Sequence, residues 1–415
     1  MELFTQRTFR ELSSAGHLEY SDGYRTKKAE LGPEGFPILR VAEVLDGRIR
    51  PTFAEFVRNE FAPFLKGKLS RPGDVVLTTK GTVGRVAMIR NQDTAFAYSP
   101  QVCYFRTSPV GPLKSQYLYY WLRSSEFRNQ AAAMKGQTDM ADYLNLSDIG
   151  TLRITLPSLT HQQAITEVLG ALDDKIAVNE RIAETSIALG DGLHEILLNR
   201  VGSSRTATIS ELASAGHLSF GDGYRTKRSE HGSPGLPILR VAEVGDGEIR
   251  PSFASYVRDE FRPVMGGKVS RPGDVVLTTK GTVGRVALIT SSHPEFVYSP
   301  QVCYFRISST SPVSNFYLFH WFRGKSFWLQ ANGLKGQTDM ADYLSLRDVK
   351  SLRITVPQQE KASAFNETCA ALHSKVEAAR SETRVLTDLR DTLLPQLVTG
   401  KLRIKDAERV VEDAV

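Results

Sequence analysis

The sequence repeats itself at a spacing of 200 residues, and the register never shifts. Asp22-Gly23-Tyr24-Arg25-Thr26-Lys27 returns as Asp222 to Lys227, Pro37 to Val44 as Pro237 to Val244, and Ser70 to Ala87 as Ser270 to Ala287. Tyr98 to Arg106 returns as Tyr298 to Arg306, and Lys135 to Leu144 as Lys335 to Leu344. Solenoids repeat one supersecondary unit of roughly 20–45 residues, so two copies at this longer period imply a duplicated domain.

Within each copy, Val75 to Thr79, Val83 to Ile89 and Val102 to Arg106 are β-rich runs separated by turn residues, while Lys114 to Met134 has helical character. Leu152 to Leu156 alternates like a last strand and Pro157 stops it, an ending repeated at Leu352 to Pro357. A long helix is expected after each proline. From about His161 to Arg200 the apolar residues Ile165, Leu169, Leu172, Ile176, Ile182, Leu189, Leu193 and Leu197 recur at steps close to three and four. Phe365, Cys369, Leu372, Val376, Ala379, Leu386 and Leu393 form the second stripe, on a helix expected to stop near Leu394-Pro395.

Neither stripe can be buried alone, so the helices are expected to pair, antiparallel, each spanning about 50 Å. Their pairing residues are Ile165, Leu169, Leu172, Ile176 and Leu193 against Phe365, Leu372, Val376, Leu386 and Leu393. Asn179, Ser186 and Gly190 interrupt the first stripe and mark the least regular packing. The expected class is α+β. Two duplicated mixed α/β domains, residues 1–158 and 201–357, are separated by spacer helices 159–200 and 358–395, which form an antiparallel coiled coil with pseudo-twofold symmetry; a tail covers 396–415.

Composition narrows the class. With 41% hydrophobic and 24% charged residues the chain reads as globular, and no apolar run approaches the roughly 18 residues of a membrane span. Met1-Glu2-Leu3-Phe4-Thr5 lacks the basic start and apolar core of a signal peptide, so a cytoplasmic protein is expected. Cys103, Cys303 and Cys369 stand apart without metal-ligand spacing and read as packing thiols. The net charge of +6 points weakly to a polyanionic partner.

The candidate nucleic-acid contacts are basic, aromatic and amide residues shared by both copies. Thr78-Thr79-Lys80-Gly81-Thr82-Val83-Gly84-Arg85, identical at Thr278 to Arg285, offers Lys80, Thr82 and Arg85, with Lys280, Thr282 and Arg285, as donors for phosphates or base edges. The alternative is a hairpin turn with incidental charges. Asp22 to Lys28 is a turn opening into Tyr24, Arg25 and Lys27, repeated as Tyr224, Arg225 and Lys227, which suits either backbone contacts or a solvated loop. Lys135, Gln137 and Thr138, with Lys335, Gln337 and Thr338, offer an amide for adenine and donors for phosphate, or else cap the following element. Gln101 and Gln301 follow Tyr-Ser-Pro at a strand entry, where they either face DNA or pack against the sheet.

Catalytic and metal constellations are missing. Gly324-Lys325-Ser326 lacks the upstream glycine of a Walker loop. Asp74 with Asp173-Asp174-Lys175 has the residue types of a metal nuclease, but the second copy reads Leu372-His373-Ser374-Lys375 there, so Asp173 to Lys175 reads as a charged outer helix face. No adjacent prolines, FxGxG or GxSxG occur, and His17 and His217 have no nucleophile beside them.

Two globular units each leading into a long helix, Gly136-Gln137-Thr138 followed by Leu152 to Pro157 and Gln162-Gln163, and the ending Leu389-Arg390-Asp391-Thr392-Leu393-Leu394-Pro395-Gln396-Leu397 with Gly400 together resemble the specificity subunit of type I restriction-modification systems. The resemblance covers essentially the whole chain. It implies a non-catalytic reader of double-stranded DNA whose globular domains each recognise half of a bipartite target. The helices would set the spacing and dock two methyltransferase subunits that bring AdoMet for adenine methylation, while restriction subunits use ATP and Mg²⁺; this chain would bind no cofactor itself. Near-identical copies imply the same half-site twice, inverted. The competing readings are a single-chain DNA methyltransferase or restriction enzyme, and a coiled-coil scaffold that does not bind DNA.

Overall fold

The structure is a computed structural model and describes residues 5–90, 94–134, 136–137, 142–199, 205–250, 252–337 and 342–414. The chain divides into two compact units, Met1–Ile176 together with Arg384–Val415, and Ala177–Thr383. Each unit holds one repeat and part of each long helix.

Val75, Val76, Leu77 and Thr78 are all fully buried, as an inner strand covered on both faces requires. In the first unit this strand lies in an antiparallel sheet ordered Leu18–Asp22, Val102–Thr107, Val75–Thr78, Val86–Met88. Successive side chains point to opposite faces. Val75, Leu77, Cys103 and Phe105 therefore enter one core with Phe9, Tyr117, Leu118 and Trp121. Val76, Ala87, Val102 and Tyr104 enter another with Leu39, Val44, Phe96 and Tyr98. The first core is aromatic, with Phe9 at 5.6 Å from Phe105 and 5.5 Å from Trp121, ring centre to ring centre. Below the second lies a smaller sheet ordered Leu31–Gly32, Phe56–Val57, Phe36–Leu39, Ala97–Tyr98, its last pairing parallel.

The second unit repeats the four-stranded sheet as Leu218–Asp222, Val302–Ile307, Val275–Thr278, Val286–Leu288. The two repeats also close in the same way. Arg153–Leu156 pairs with Thr5–Thr8, and Arg353–Val356 pairs with Arg205–Thr208, so the end of each repeat returns to its start. Pro157 and Pro357 then end the strand, and the long helices Leu159–Asn199 and Gln359–Val398 begin two residues later. Gln162 fixes the first entry: fully buried, it donates to the carbonyls of Pro112 (2.8 Å) and Pro157 (3.0 Å) and accepts from the Lys114 N–H (2.9 Å).

The long helices pack together within both units. In the first, Ile165, Leu169, Leu172 and Ile176 are buried with Leu386, Leu393, Leu394 and Leu397. In the second, Phe365, Cys369 and Val376 are buried, Leu193 packs against them half-buried, and Leu372 is half-buried. His194 meets Phe365 while Asn179 donates to Glu382, so the two segments run antiparallel.

Two expected stripe positions are on the outside: Ile182 is 40% and Leu189 52% exposed. The buried seam runs instead through Ala183, Ile187, Gly190, His194 and Leu197, spaced four and three. Small and polar residues on that seam disguise it as a gap in the pattern. Asn179 and Ser186, which look like interruptions, are buried too, and Asn179 is satisfied by Glu382 at 2.8 Å.

Asp173 is not an outer-face charge. It accepts from the Tyr120 hydroxyl (3.0 Å), Arg123 (3.3 Å) and Arg390 (2.8 Å), tying the first globular part to both helices. The second unit uses different chemistry at the equivalent place. Asp191 binds His320 Nδ1 (2.7 Å) and Arg323 (3.0 Å), and His320 Nε2 faces His373 Nε2 at 3.2 Å. Gly190 makes room for this, since a Cβ there would lie 2.3 Å from the His320 ring.

The second helix continues through Pro395 to Val398 rather than stopping at the proline. Proline forfeits one backbone hydrogen bond, and the packed Leu393, Leu394 and Leu397 hold the turn in place. The helix ends at Gly400, which is left-handed (φ +69°), with its N–H donating to Leu397 and that of Lys401 to Gln396. Beyond it the expected tail holds a further helix, Ile404–Glu412, whose Ala407 and Val411 join the first unit's core.

Candidate nucleic-acid interface

Loops from four parts of each repeat meet at one edge of the four-stranded sheet. The Tyr24 N–H donates to the Tyr98 carbonyl (2.7 Å), bringing the Asp22 turn beside Ser99-Pro100-Gln101. The Thr79 N–H donates to Gln101 (2.9 Å), and the Leu144 N–H donates to Thr79 (2.9 Å). Lys80 bridges to Tyr143, which joins the hairpin of Gly136–Gln137 and Asp142–Tyr143 to the same edge. The second unit reproduces these bonds as Tyr224 to Tyr298 (2.7 Å), Thr279 to Gln301 (3.0 Å), Leu344 to Thr279 (2.8 Å) and the Lys280 to Tyr343 bridge.

The shared loop is closed by its first threonine. Buried Thr78 donates through Oγ1 to the Thr82 carbonyl and accepts from the Arg85 N–H at 2.9 Å. Gly81 and Gly84 take left-handed conformations, at φ +78° and +102°, which other residues adopt only with strain. Lys80 to Thr82 is thereby held as a projecting turn.

Exposed on this edge and its flanks are Arg25, Lys27, Thr82 and Gln101 in the first unit, and Arg225, Lys227, Lys280, Thr282 and Gln301 in the second. Lys80 is half-buried. Gln101 does not pack against the sheet; only its carbonyl is engaged. Tyr24 is half-buried beside Ile38 and Val57 and donates its hydroxyl to buried Glu30 (3.1 Å), and Tyr224 occupies the same place in its own unit. Both tyrosines are struts under the basic turn. Arg85 turns inward to the carbonyls of Val41 (3.5 Å) and Val44 (3.3 Å), and Arg285 to Val244 (3.3 Å). Lys335 pairs with Asp342 at 2.7 Å. Gln137 and Gln337 lie on the short hairpin strands, and Lys135, Thr138 and Thr338 lie outside the described residues.

Lys68 completes the arrangement from a segment that carries no sequence motif. Its Nζ donates to Ser21 Oγ (2.8 Å) and the Asp22 carboxylate (3.2 Å), and Lys268 donates to the Gly223 carbonyl (2.8 Å). The signal for it is persistence, since the lysine recurs with Pro63 and Gly67 where the other five residues from Ala62 to Leu69 differ from Arg262 to Val269. Beneath the edge, Asp74 is buried and accepts from the Tyr98 hydroxyl (2.8 Å) and from Arg106 through Nε (2.8 Å) and Nη2 (2.7 Å). Asp74 is therefore a packed ion-pair partner rather than a metal ligand. Among the described residues no group of three or more His, Cys, Asp or Glu is placed to hold a metal ion. Burial pushes the thiols of Cys103 and Cys303 up, and that of Cys369 up to about 12, as packing cysteines require. No helix among the described residues is long and apolar enough to cross a membrane.

The Asp22 turn sits so close to the sheet that only glycine fits. A Cβ on Gly23 would lie 2.0 Å from the Tyr98 carbonyl oxygen, and one on Gly223 2.1 Å from that of Tyr298. Gly223→Ala is expected to lower stability by about 2–4 kcal/mol and to lift the basic turn off the edge. A denaturant midpoint close to the parent's would show that the backbone yields at little cost.

The family described as the type I restriction modification DNA specificity domain matches residues 10–185. Two relatives come from Methanocaldococcus jannaschii. The type I restriction enzyme MjaVIII specificity subunit is 20% identical over 394 residues, covering 89% of this chain and 87% of that one. The MjaIX specificity subunit is 22% identical over 358 residues, covering 80% and 78%. The crystal structure of a type I restriction-modification S subunit from M. genitalium shares the fold, with a TM-score of 0.52 at 17% identity, covering 95% of this chain and 96% of that one. With its first repeat and half of the central helix matching the family's domain, and relatives aligned along most of both chains, this chain is similar to type I restriction-modification specificity subunits along most of its length.

Proposed function

We propose that this chain is the DNA sequence-specificity subunit of a type I restriction-modification complex and carries out no chemistry itself. Residues 1–158 and 201–357 are its two target-recognition domains, each reading one half of a bipartite site. The paired helices set the distance between the half-sites and dock two methyltransferase subunits. Those subunits bring AdoMet and methylate adenine, and restriction subunits supply the ATP- and Mg²⁺-dependent activity. The contacts fall to the exposed edge residues Arg25, Lys27, Thr82 and Gln101, to half-buried Lys80, and to their repeats, with the Gln137 and Gln337 hairpins beside them. Cations there neutralise phosphates, and the amides and hydroxyls suit base edges.

The observation that carries this reading is that the two edges agree in both sequence and backbone hydrogen bonding. Two domains presenting the same groups in the same frame select the same bases. The target is then an interrupted palindrome. Co-expressing the chain with its methyltransferase and mapping modified adenines by long-read sequencing is expected to return one motif whose halves are inverted copies. Two unrelated halves would overturn the shared half-site, and the absence of any motif dependent on this chain would overturn the specificity role.

A further inference from the structure

Two identical loops are supported differently. Gly81 and Gly281 have φ of +78° and +81°, and Gly84 and Gly284 of +102° and +96°, so the backbones of Thr78–Arg85 and Thr278–Arg285 match. At Gly84 a Cβ would meet nothing within 4 Å. At Gly284 it would lie 2.2 Å from Cη2 and 2.5 Å from Cζ2 of Trp328. The indole edge therefore rests on the α-carbon of the second glycine. Trp328 is itself anchored: it is half-buried against the second unit's core and meets Phe327 edge-on at 5.4 Å. With Val283, Arg285, Arg323 and Asp246 it walls a cleft of about 230 Å³ behind the loop. The equivalent residue in the first unit is Arg128, exposed on its helix and without such cover.

This difference bears on binding. A turn with two left-handed glycines has many conformations to lose when it engages a ligand. An anchored aromatic side chain against one of those glycines removes part of that loss beforehand. We propose that Trp328 is a positioning residue that pre-orders the Lys280–Arg285 turn, so that the two recognition domains present the same groups but contribute unequally to target affinity, the second more than the first. The inference rests on reading these loops as DNA contacts.

The test uses the chain with its methyltransferase partners and a short duplex carrying the mapped target. Lys280→Ala is expected to weaken binding more than Lys80→Ala. Trp328→Ala should lower affinity about fivefold when placed in the Lys80→Ala chain, and have little effect in the Lys280→Ala chain, because its action passes through the turn that Lys280 occupies. Trp328→Phe keeps an aromatic cover and should restore most of the affinity. A spectroscopic signature accompanies this. Trp121 and Trp321 are fully buried, so the emission of Trp328 is the one expected to shift as the duplex is added. Equal losses from the two lysine variants, or a Trp328→Ala loss that is the same in both backgrounds, would overturn the proposal. If neither lysine affects affinity, the reading of the loops as contacts fails and the proposal goes with it.

Discussion

Asp274→Ala is expected to lower the stability of the second unit by about 3–5 kcal/mol, and Asp74→Ala to lower that of the first by less. Asp274 is 1% exposed and accepts from the Tyr298 hydroxyl (2.7 Å), from Arg306 at Nε (2.8 Å) and Nη2 (2.7 Å), and from the Arg271 N–H (2.9 Å). Removing the carboxylate strands a half-buried guanidinium and a buried phenol together. An uncompensated charge away from water is the expensive outcome. The two repeats differ in what remains. Arg106 also reaches Glu19 at 3.4 Å, and that acid accepts from Tyr104 at 2.7 Å. The second copy has Ser219 there, leaving Arg306 the Val269 carbonyl at 3.0 Å. Denaturant melts should show both midpoints falling with unchanged slope, Asp274→Ala the further of the two. Equal falls would mean that Glu19 is no reserve partner.

Acidification is expected to weaken the second unit selectively. His194 is 2% exposed, edge-on to Tyr317 (4.7 Å) and Phe365 (5.9 Å), and burial holds its pKa down at about 3, with nearby His320 adding to the effect. His373 is also held at about 3, first by burial, then by His320, Arg380 and Arg323, while Asp191 opposes them. The folded values lie below the unfolded value of about 6.5. The unfolded chain therefore takes up protons that the folded chain refuses. The stabilisation is complete above about pH 6.5 and is lost as the pH falls from there towards 3, about 2 kcal/mol for each of the two histidines by pH 5. The first unit has Leu394 and Asp173 at the matching repeat positions. Pulse proteolysis at pH 7.5 and pH 5, with fragments assigned to each unit, should show the second unit opening first in acid. His194→Leu, which installs the first unit's residue, should remove about half of the dependence. Units that open together at both pH values would remove the histidines from the explanation.

The repeat made most of the architecture legible. The strands beginning at Val75, Val86, Val102 and Arg153, the two helices and the shared edge loops follow from residues that recur in register, whereas Thr5–Thr8, Leu18–Asp22 and Phe36–Leu39 carry no comparable β-rich run. Three features escaped for physical reasons. The helix seam in the second unit runs through Gly190 and His194, residues that a search for apolar stripes discards, although one admits and the other fills the space between helices. Asp173 looks like a surface charge because its partners Tyr120 and Arg390 lie 53 and 217 residues away. Within the candidate site, residue type identified the right loops but not each side chain's task. Arg85 and Tyr24 are spent on holding the edge, and Lys68, which lies in no motif, holds the turn that Arg25 and Lys27 project from.

The order of the chain separates the two units in time. The second unit is one continuous segment, Ala177–Thr383, whereas the first needs Met1–Ile176 and Arg384–Val415 together. As the chain leaves the ribosome, the domain made first waits longest, with Ile165, Leu169 and Leu172 lacking the cover that Leu386, Leu393 and Leu397 add. The unit made later closes before it. A stalled or shortened product would thus carry a finished second domain beside an open first one, with its apolar helix face available to chaperones or to another chain's last helix.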